Sequence, residues 1–448
     1  MDRQDTIPPL ANGVVAQAAL VTDGEQALTL RLALIREARY SILAQYYSWE
    51  EDVSGKLLLG ALLQAAHRGV KVRILVDDLY SGSNRYLESL AVEPNIRVRI
   101  FNPFWIRLGR PWFWLLEILF SFRRLNHRMH NKLLVVDDDW AMVGGRNIGD
   151  AYLGLPADHQ FVDLDVLLRG VVCTDLARGF LSYWRGRWSH VCHRLGWFGI
   201  PESMAIANNA FLLALTEPEV ARLFGVAETH FNGCLRSLSW HTVRAQVVVD
   251  SPDKGLQLRR HPSAATRALL DQLGEVTASL RIVSPYLVPT RPLYQGLRRL
   301  LRRGVGVVML SNSLAGTDMP LAYSGYRTRR KRLLNAGVSL FELRPGNQRC
   351  LHAKLALFDD SHLLVGSLNL DPRSSYLNTE IALLLHGQSL AAEVQSWLDH
   401  ILTADSAWPL CLCQGEVRWP ESNVEPQTSR WQRIWVTLVS YLPLRGLL

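Results

Sequence analysis

HRMHNKLLVVDDDWAMVGGRN, residues 127–147, sets a histidine, a lysine, two glycines and an asparagine around a short apolar run. CLHAKLALFDDSHLLVGSLN, residues 350–369, repeats the spacing. His130, Lys132, Asp137, Gly144, Gly145 and Asn147 are matched in order by His352, Lys354, Asp359, Gly366, Ser367 and Asn369, every pair separated by the same interval. Between histidine and aspartate each stretch reads as a strand. Because side chains on a strand repeat direction every second residue, His130 and Lys132 are expected on one face, converging on one ligand. The glycine turns let the backbone approach closely and aim each asparagine back toward that face.

Histidine, lysine and asparagine together suit a phosphate or phosphodiester. The ammonium and amide bind non-bridging oxygens, and an imidazole near neutral pKa attacks phosphorus or transfers protons. Two such sets allow one histidine to act as nucleophile while the other serves as general acid and then base. No metal or cofactor is required, since the lysines and amides carry the charge stabilisation. A single HxK is weak, because structural histidines are common; the matched duplication is what marks a site.

The repeat extends outward from the motifs. ARYSILAQYYSW, GKLLLGALLQAAHRG and VKVRILVDD read as strand, helix ending on Gly69, and strand; SLRIVSPYLVP, LYQGLRRLLRRG ending on Gly304, and VGVVMLSNS repeat the order. Each is a βαβ unit with glycine closing the helix. The expected fold is therefore α/β, two pseudo-symmetric domains, each a mixed β-sheet flanked by helices, with the active site at their interface. The expected boundaries are 1–207 for the first domain, 208–256 for a connecting region and 257–404 for the second domain. Residues 405–448 form a C-terminal extension; neither it nor the connecting region has an obvious counterpart in the other half.

Composition narrows the partners. The chain has 448 residues, 48% hydrophobic and 20% charged, with a formal net charge of +8, which makes a packed, folded protein the expectation and favours anionic partners. Six scattered cysteines do not make a disulfide framework. The N-terminus shows no secretory signal, and no stretch reaches the roughly 18 apolar residues of a spanning helix. Two segments approach a membrane character: WFWLLEILFSF, residues 112–122, and the tail from Trp431, whose Trp431, Ile434, Trp435, Leu438, Val439 and Leu442 lie at helical spacing. Each reads either as an interfacial helix or as one packed on the core. His190, Cys192 and His193, and Cys411 with Cys413, lack the complementary ligands of a zinc site.

The duplicated HxKxxxxD element resembles the phospholipase D superfamily, and within it the bacterial cardiolipin synthases of the short type-C form. The likeness runs through RMHNK (128–132), VGGRNIGDAY (143–152), SGYRTRRKRLLNAGVSLFEL (324–343), NLDPRSSYLNTE (369–380) and the closing SYLPLRGLL. It implies a phosphatidyltransferase that makes cardiolipin from phosphatidylglycerol and a second phospholipid, phosphatidylethanolamine or phosphatidylglycerol. The intermediate would be a covalent phosphatidyl-histidine, with His130 as nucleophile and His352 as acid/base. Asp163 and Glu380, each seven residues before a glycine, are then expected to orient the imidazoles. Asp137 and Asp359 are expected to be structural, pairing with nearby turns. Asn147, Asn369 and Ser367 are expected at the phosphate, and Ser374 and Ser375 could add hydroxyl contacts. The basic run Arg327, Arg329, Arg330, Lys331 and Arg332 reads as a solvated face that also attracts anionic head groups. The expected setting is peripheral attachment at the cytoplasmic face of a bacterial inner membrane, with anionic and zwitterionic phospholipids as partners and no obligate protein partner. A phosphodiesterase hydrolysing phospholipid or nucleic acid is the alternative; the aromatic segment and amphipathic tail count against nucleic acid.

Overall fold

The computed structural model describes residues 13–81, 85–91, 93–104, 121, 124–192, 231–254, 262–346, 349–420 and 422–441. All but one residue of the aromatic segment, His193, and the tail beyond Tyr441 lie outside these.

The first half runs β1 (Val14–Val21), β2 (Ser41–Tyr46), β3 (Lys71–Asp77), β4 (Ile96–Phe101), β5 (Leu133–Val136), β6 (Trp140–Gly144), β7 (Gln160–Val162), β8 (Asp165–Arg169) and β9 (Ser189–Val191). The second half runs β10 (Trp240–Val249), β11 (Ser279–Val283), β12 (Gly306–Asn312), β13 (Ser339–Leu343), β14 (Arg349–Leu351), β15 (Leu355–Phe358), β16 (His362–Gly366), β17 (Ile381–His386) and β18 (Ala407–Pro409). Sixteen of these form one sheet in the order β18-β13-β12-β11-β15-β16-β17-β10-β1-β8-β6-β5-β2-β3-β4-β9. Read outward from its centre, the two wings have the same order. β1 and β10 join them as an antiparallel pair, Val14 opposite Ala245 and Ala19 opposite Trp240. An antiparallel pair of equivalent strands is what a local two-fold axis demands.

The βαβ units are where the sequence places them. Helix Val53–His67 carries β2 into the parallel β3, and helix Arg291–Arg302 carries β11 into β12. Gly69 and Gly304 sit at φ +97° and +81°, a left-handed conformation that closes each helix at little cost only for glycine. The next residue's amide then reaches back, Val70 to the Ala65 carbonyl and Val305 to that of Leu300.

The sheet also shows what the sequence hid. β10 falls in the stretch expected to be connecting chain without a counterpart, yet it holds the place in the second half that β1 holds in the first. β18, beyond residue 404, is likewise the counterpart of β9. Both are edge-of-repeat strands whose partners lie far away in the chain, so local pattern carries little trace of the pairing. The halves are also joined through their core: Leu20 and Phe180 of one half share an apolar cluster with Val247, Leu383 and Val394 of the other.

Asp137 and Asp359 occupy identical niches. The Asp137 carboxylate accepts the backbone N–H of Arg39, Tyr40 and Ser41, each at 2.8 Å. Asp359 accepts those of Thr277, Ala278 and Ser279 at 2.7–2.9 Å. Each pins the turn that launches the first strand of its βαβ unit. Burial opposes the Asp359 charge, but these N–H bonds override it and hold the carboxyl down at about 2.

Helix Arg430–Ser440 packs on helix Pro320–Ala336, with Val436 buried between them. Among the described residues no helix is long and apolar enough to cross a membrane.

Candidate active site

The two histidine motifs meet where the wings join. β5 begins at Leu133 and β15 at Leu355, one residue after each lysine, so histidine and lysine lie in the lead-in to the strand rather than on it. The expected strand alternation therefore does not orient the pair. Backbone contacts between the halves do. His130 N–H donates to the Thr379 carbonyl at 2.9 Å, and His352 N–H to that of Val162 at 2.8 Å. The residue before each histidine is held from the end of a parallel strand: Met129 N–H by the Asp77 carboxylate at 2.9 Å, Leu351 N–H by the Asn312 amide oxygen at 2.7 Å. Asp77 and Asn312 hold the same place in VKVRILVDD and VGVVMLSNS, the signal by which sequence could have found them.

Thr379 and Val162 precede Glu380 and Asp163, so the same contacts bring each carboxylate to the histidine of the opposite half. His130 Nδ1 lies 3.0 Å from Glu380 Oε2, and His352 Nδ1 lies 2.6 Å from Asp163 Oδ2. All four side chains are buried. Bonding at Nδ1 assigns the proton there in the neutral ring and leaves Nε2 with its lone pair. Each imidazole–carboxylate couple has the geometry of the orienting half of a catalytic triad, made twice and crossed.

Lys132 Nζ donates to its own motif's His130 carbonyl at 2.7 Å and stands 5.1 Å over the Tyr47 ring. Lys354 Nζ also bonds its histidine's carbonyl, and it lies 2.8 Å from His352 Nδ1. Aromatic rings wall both imidazoles: Tyr47 beside His130, and Tyr152 with Phe161 beside His352. Sequence reasoning named none of these rings, although Tyr47 directly follows β2 at the edge where the motifs gather.

The electrostatics follow from this burial. Desolvation pushes His130 and His352 down to about 4, against the pull of their carboxylates, and the neighbouring lysines add to the depression. Desolvation also brings Lys354 down to about 8 and Lys132 well below the usual lysine range. Burial would raise Asp163 and Glu380, but the facing histidines and lysines overcome it and hold both carboxyls below their ordinary values. The site is thus a buried chamber in which two histidines and two lysines face two carboxylates, with desolvation disfavouring the charged forms of the histidines and lysines.

The remaining candidates divide. Asn147 Nδ2 donates to Tyr152 Oη at 3.2 Å and its Oδ1 accepts from the Ser48 N–H at 3.4 Å, so its amide is already engaged. Asn369 Oδ1 is buried with no partner. The Ser367 hydroxyl donates to Glu380 Oε2 and accepts the Ile381 N–H at 3.0 Å. Its counterpart Gly145 has no room for such a group, since a Cβ there would stand 2.1 Å from Asp163 Oδ1. Ser374 Oγ is buried without a partner. The zinc distractors lie elsewhere: His190 on β9, and Cys411 and Cys413 on an exposed strand.

A duplicated α/β fold with paired HxK motifs and crossed carboxylates defines the phospholipase D class of phosphodiester-processing proteins. The family model described as "Cardiolipin synthase, PLD-like domain" matches residues 32–168 and 269–402, and the chain belongs to that family. It is 36% identical to cardiolipin synthase C of Escherichia coli K12, covering 94% of both chains. It is 28% identical to cardiolipin synthase A of Pseudomonas entomophila, covering 89% of this chain and 70% of that one. The crystal structure of the phosphatidylserine synthase of Haemophilus influenzae shares the fold, with a TM-score of 0.66 at 16% identity over 96% of this chain and 94% of that one. The protein is accordingly a phosphatidyltransferase of the phospholipase D superfamily.

Proposed function

We propose that the protein makes cardiolipin, transferring phosphatidyl from one phospholipid to the terminal glycerol hydroxyl of phosphatidylglycerol through His130. The observation that carries this reading is the crossed pairing of His130 with Glu380 and His352 with Asp163. It gives two oriented imidazoles, one from each half, for the two sides of one phosphorus.

In the first step the lone pair of His130 Nε2 attacks phosphorus. A P–N bond forms as the P–O bond to the head-group alcohol breaks, and His352 gives its Nε2 proton to the departing oxygen. In the second step neutral His352 takes the proton of the acceptor hydroxyl, whose oxygen attacks phosphorus and breaks the P–N bond. His130 is regenerated and His352 is again protonated. An arriving phosphodiester anion raises the depressed histidines, which is how His352 gains its acidic form. The roles of His130 as nucleophile and His352 as acid/base follow the phospholipase D resemblance, since the shorter His352–Asp163 bond is offset by Lys354, 2.8 Å from His352 Nδ1. Lys132, Lys354 and the Asn369 side-chain N–H would hold the non-bridging oxygens, and Ser367 would act through Glu380. Asn147 would reach phosphate only by giving up Tyr152. The burial of the site limits water as a competing acceptor.

Phosphatidylethanolamine or a second phosphatidylglycerol serves as donor in this reading. The protein would work peripherally at the cytoplasmic face of the bacterial inner membrane, where both lipids meet it. The test is to incubate the protein, and His130→Ala, with liposomes containing phosphatidylglycerol with and without phosphatidylethanolamine, and to follow lipids and released alcohols by mass spectrometry. Cardiolipin from the native protein alone is expected, with ethanolamine or glycerol identifying the donor. Phosphatidic acid without cardiolipin would make it a hydrolase, and no lipid turnover would turn attention to nucleic-acid phosphodiesters.

A further inference from the structure

The C-terminal helix is amphipathic the wrong way round. At about 100° per residue, Trp431, Ile434, Trp435 and Leu438, with Tyr441 at the C-cap, fall in one stripe; they are 37–82% exposed. Val436, on the opposite side, is 1% exposed, and the partly buried flank around it carries Arg433, Thr437 and Ser440 beside Val439. A surface helix normally buries its apolar stripe and wets its polar one. The other exposed large apolar side chains among the described residues, Val15, Tyr40, Tyr80, Val171, Met319 and Val424, come from separate segments. The five side chains of this stripe follow one another along a single helix, the kind of contiguous patch that marks an interaction surface.

The helix is firmly mounted in this orientation. Ser429 and Gln432 form a reciprocal cap at its start. Just upstream, Glu425 accepts from Arg330 at 2.8 Å and from Arg327 at 3.1 Å, and Arg330 also binds Glu342 at 3.0 Å. Trp419 Nε1 donates to Glu342 at 2.9 Å with its ring against Arg330. This buried network fixes the extension to helix Pro320–Ala336, so the apolar stripe faces outward by construction.

The two helices next to it are basic, although exposed Asp271, Glu275 and Glu416 lie on elements packed against them. Helices Arg291–Arg302 and Pro320–Ala336 contain no Asp or Glu, while Arg298, Arg299, Arg302, Lys331 and Arg332 are exposed. A cleft of about 300 Å³ between the two helices is lined by Arg291, Tyr294, Arg329 and Arg332.

From these observations we infer that this face is a membrane-docking surface. The stripe of Trp431, Trp435, Leu438 and Tyr441 enters the interfacial layer, and the acid-free helices beside it meet anionic phospholipid head groups. Tryptophan and tyrosine favour that depth, and buried apolar area adds to electrostatic attraction there. A second copy of the chain fits less well, because apposing two such faces would bring like charges together. The surface uses none of the side chains assigned to chemistry.

The test is flotation of the full-length protein with phosphatidylcholine vesicles, with and without phosphatidylglycerol, beside turnover of a soluble short-chain phosphatidylglycerol. Native protein should float with the anionic vesicles, less so at high salt. The triple variant Trp431→Ser/Trp435→Ser/Leu438→Ser should lose at least about tenfold in vesicle affinity, and Arg298→Gln/Arg302→Gln should lose the preference for phosphatidylglycerol. Both should keep native circular dichroism and native short-chain turnover. Vesicle binding by the triple variant equal to native would overturn the inference. So would a native dimer that the triple variant alone breaks without change in vesicle affinity, which would seat a second copy on this face. Binding is read without turnover, so an inactive native protein that still shows the expected vesicle losses would sink the catalytic reading and leave this one standing.

Discussion

Helix Val53–His67 and helix Arg291–Arg302 occupy equivalent places in the two halves and present opposite surfaces. The first buries eleven of its fifteen residues and carries one lysine; the second buries four of twelve and carries four arginines. The backbone constraints around them did not diverge. Gly69 and Gly304 close both helices, Asp137 and Asp359 pin both launching turns, and Asp77 and Asn312 hold both pre-histidine amides. The same contrast holds inside the site, where Ser367 braces Glu380 while Gly145 makes way for Asp163. What positions the histidines is kept in duplicate, and what meets the surroundings is free to differ.

Breaking the two motifs separately should show whether that duplication is functional equality. His130→Ala and His352→Ala should each lower the transfer rate by about 10⁴-fold or more. They should part in a trapping experiment with a donor bearing an activated leaving group. His352→Ala should accumulate the labelled lipid–enzyme adduct and His130→Ala should form none; the reverse pattern would exchange the two roles.

The crossed carboxylates come next in size. Glu380→Gln and Asp163→Asn should each cost about 10²–10³-fold, measured as initial rates on mixed liposomes. Exchanging the residues beside them should be unequal. Gly145→Ser drives a side chain into Asp163 and should approach the loss of Asp163→Asn, whereas Ser367→Gly removes one brace from Glu380 and should cost about tenfold or less. Equal losses would mean that the asymmetry has no mechanistic weight.

His127 is fully buried at the junction, with Nε2 2.7 Å from the Pro252 carbonyl. Desolvation pushes it down to about 4, as it does His130 and His352. Its folded pKa lies below its unfolded one, so the unfolded chain binds the proton first. Its contribution to stability is complete above about pH 6.5 and is lost as pH falls toward 4. Glu50 and Asp371, raised by burial to about 7 and about 6, contribute with the opposite sign, so the useful quantity is a difference. The melting temperature of His127→Gln should fall less than that of the native protein between pH 7 and pH 5. Parallel curves would refute it.

The smallest effect should fall on the duplicated aspartates. Asp137→Asn and Asp359→Asn should each lower stability by on the order of 1 kcal/mol, through weaker acceptance of three backbone N–H groups. Turnover should persist, and denaturant midpoints should move together in the two variants. A selective loss of activity in either would give that aspartate a role beyond its turn.

The sequence by itself determined the motif residues, the two βαβ units, the glycines that end their helices and the structural part of Asp137 and Asp359. These rest on local periodicity and turn chemistry, which neighbouring residues carry among themselves. It also marked Asp163 and Glu380 as equivalent orienting carboxylates. Which histidine each would serve was decided by the tertiary structure alone, because the pairing depends on backbone contacts between residues far apart in the chain, Met129 beside Thr379 and Leu351 beside Val162. The same holds for β10, whose place is set by its register with β1, and for the C-terminal helix. Its spacing shows an amphipathic stripe, but only the Arg330, Glu342 and Glu425 network fixes which side turns to the protein. Periodicity gives a helix two faces; long-range packing chooses between them.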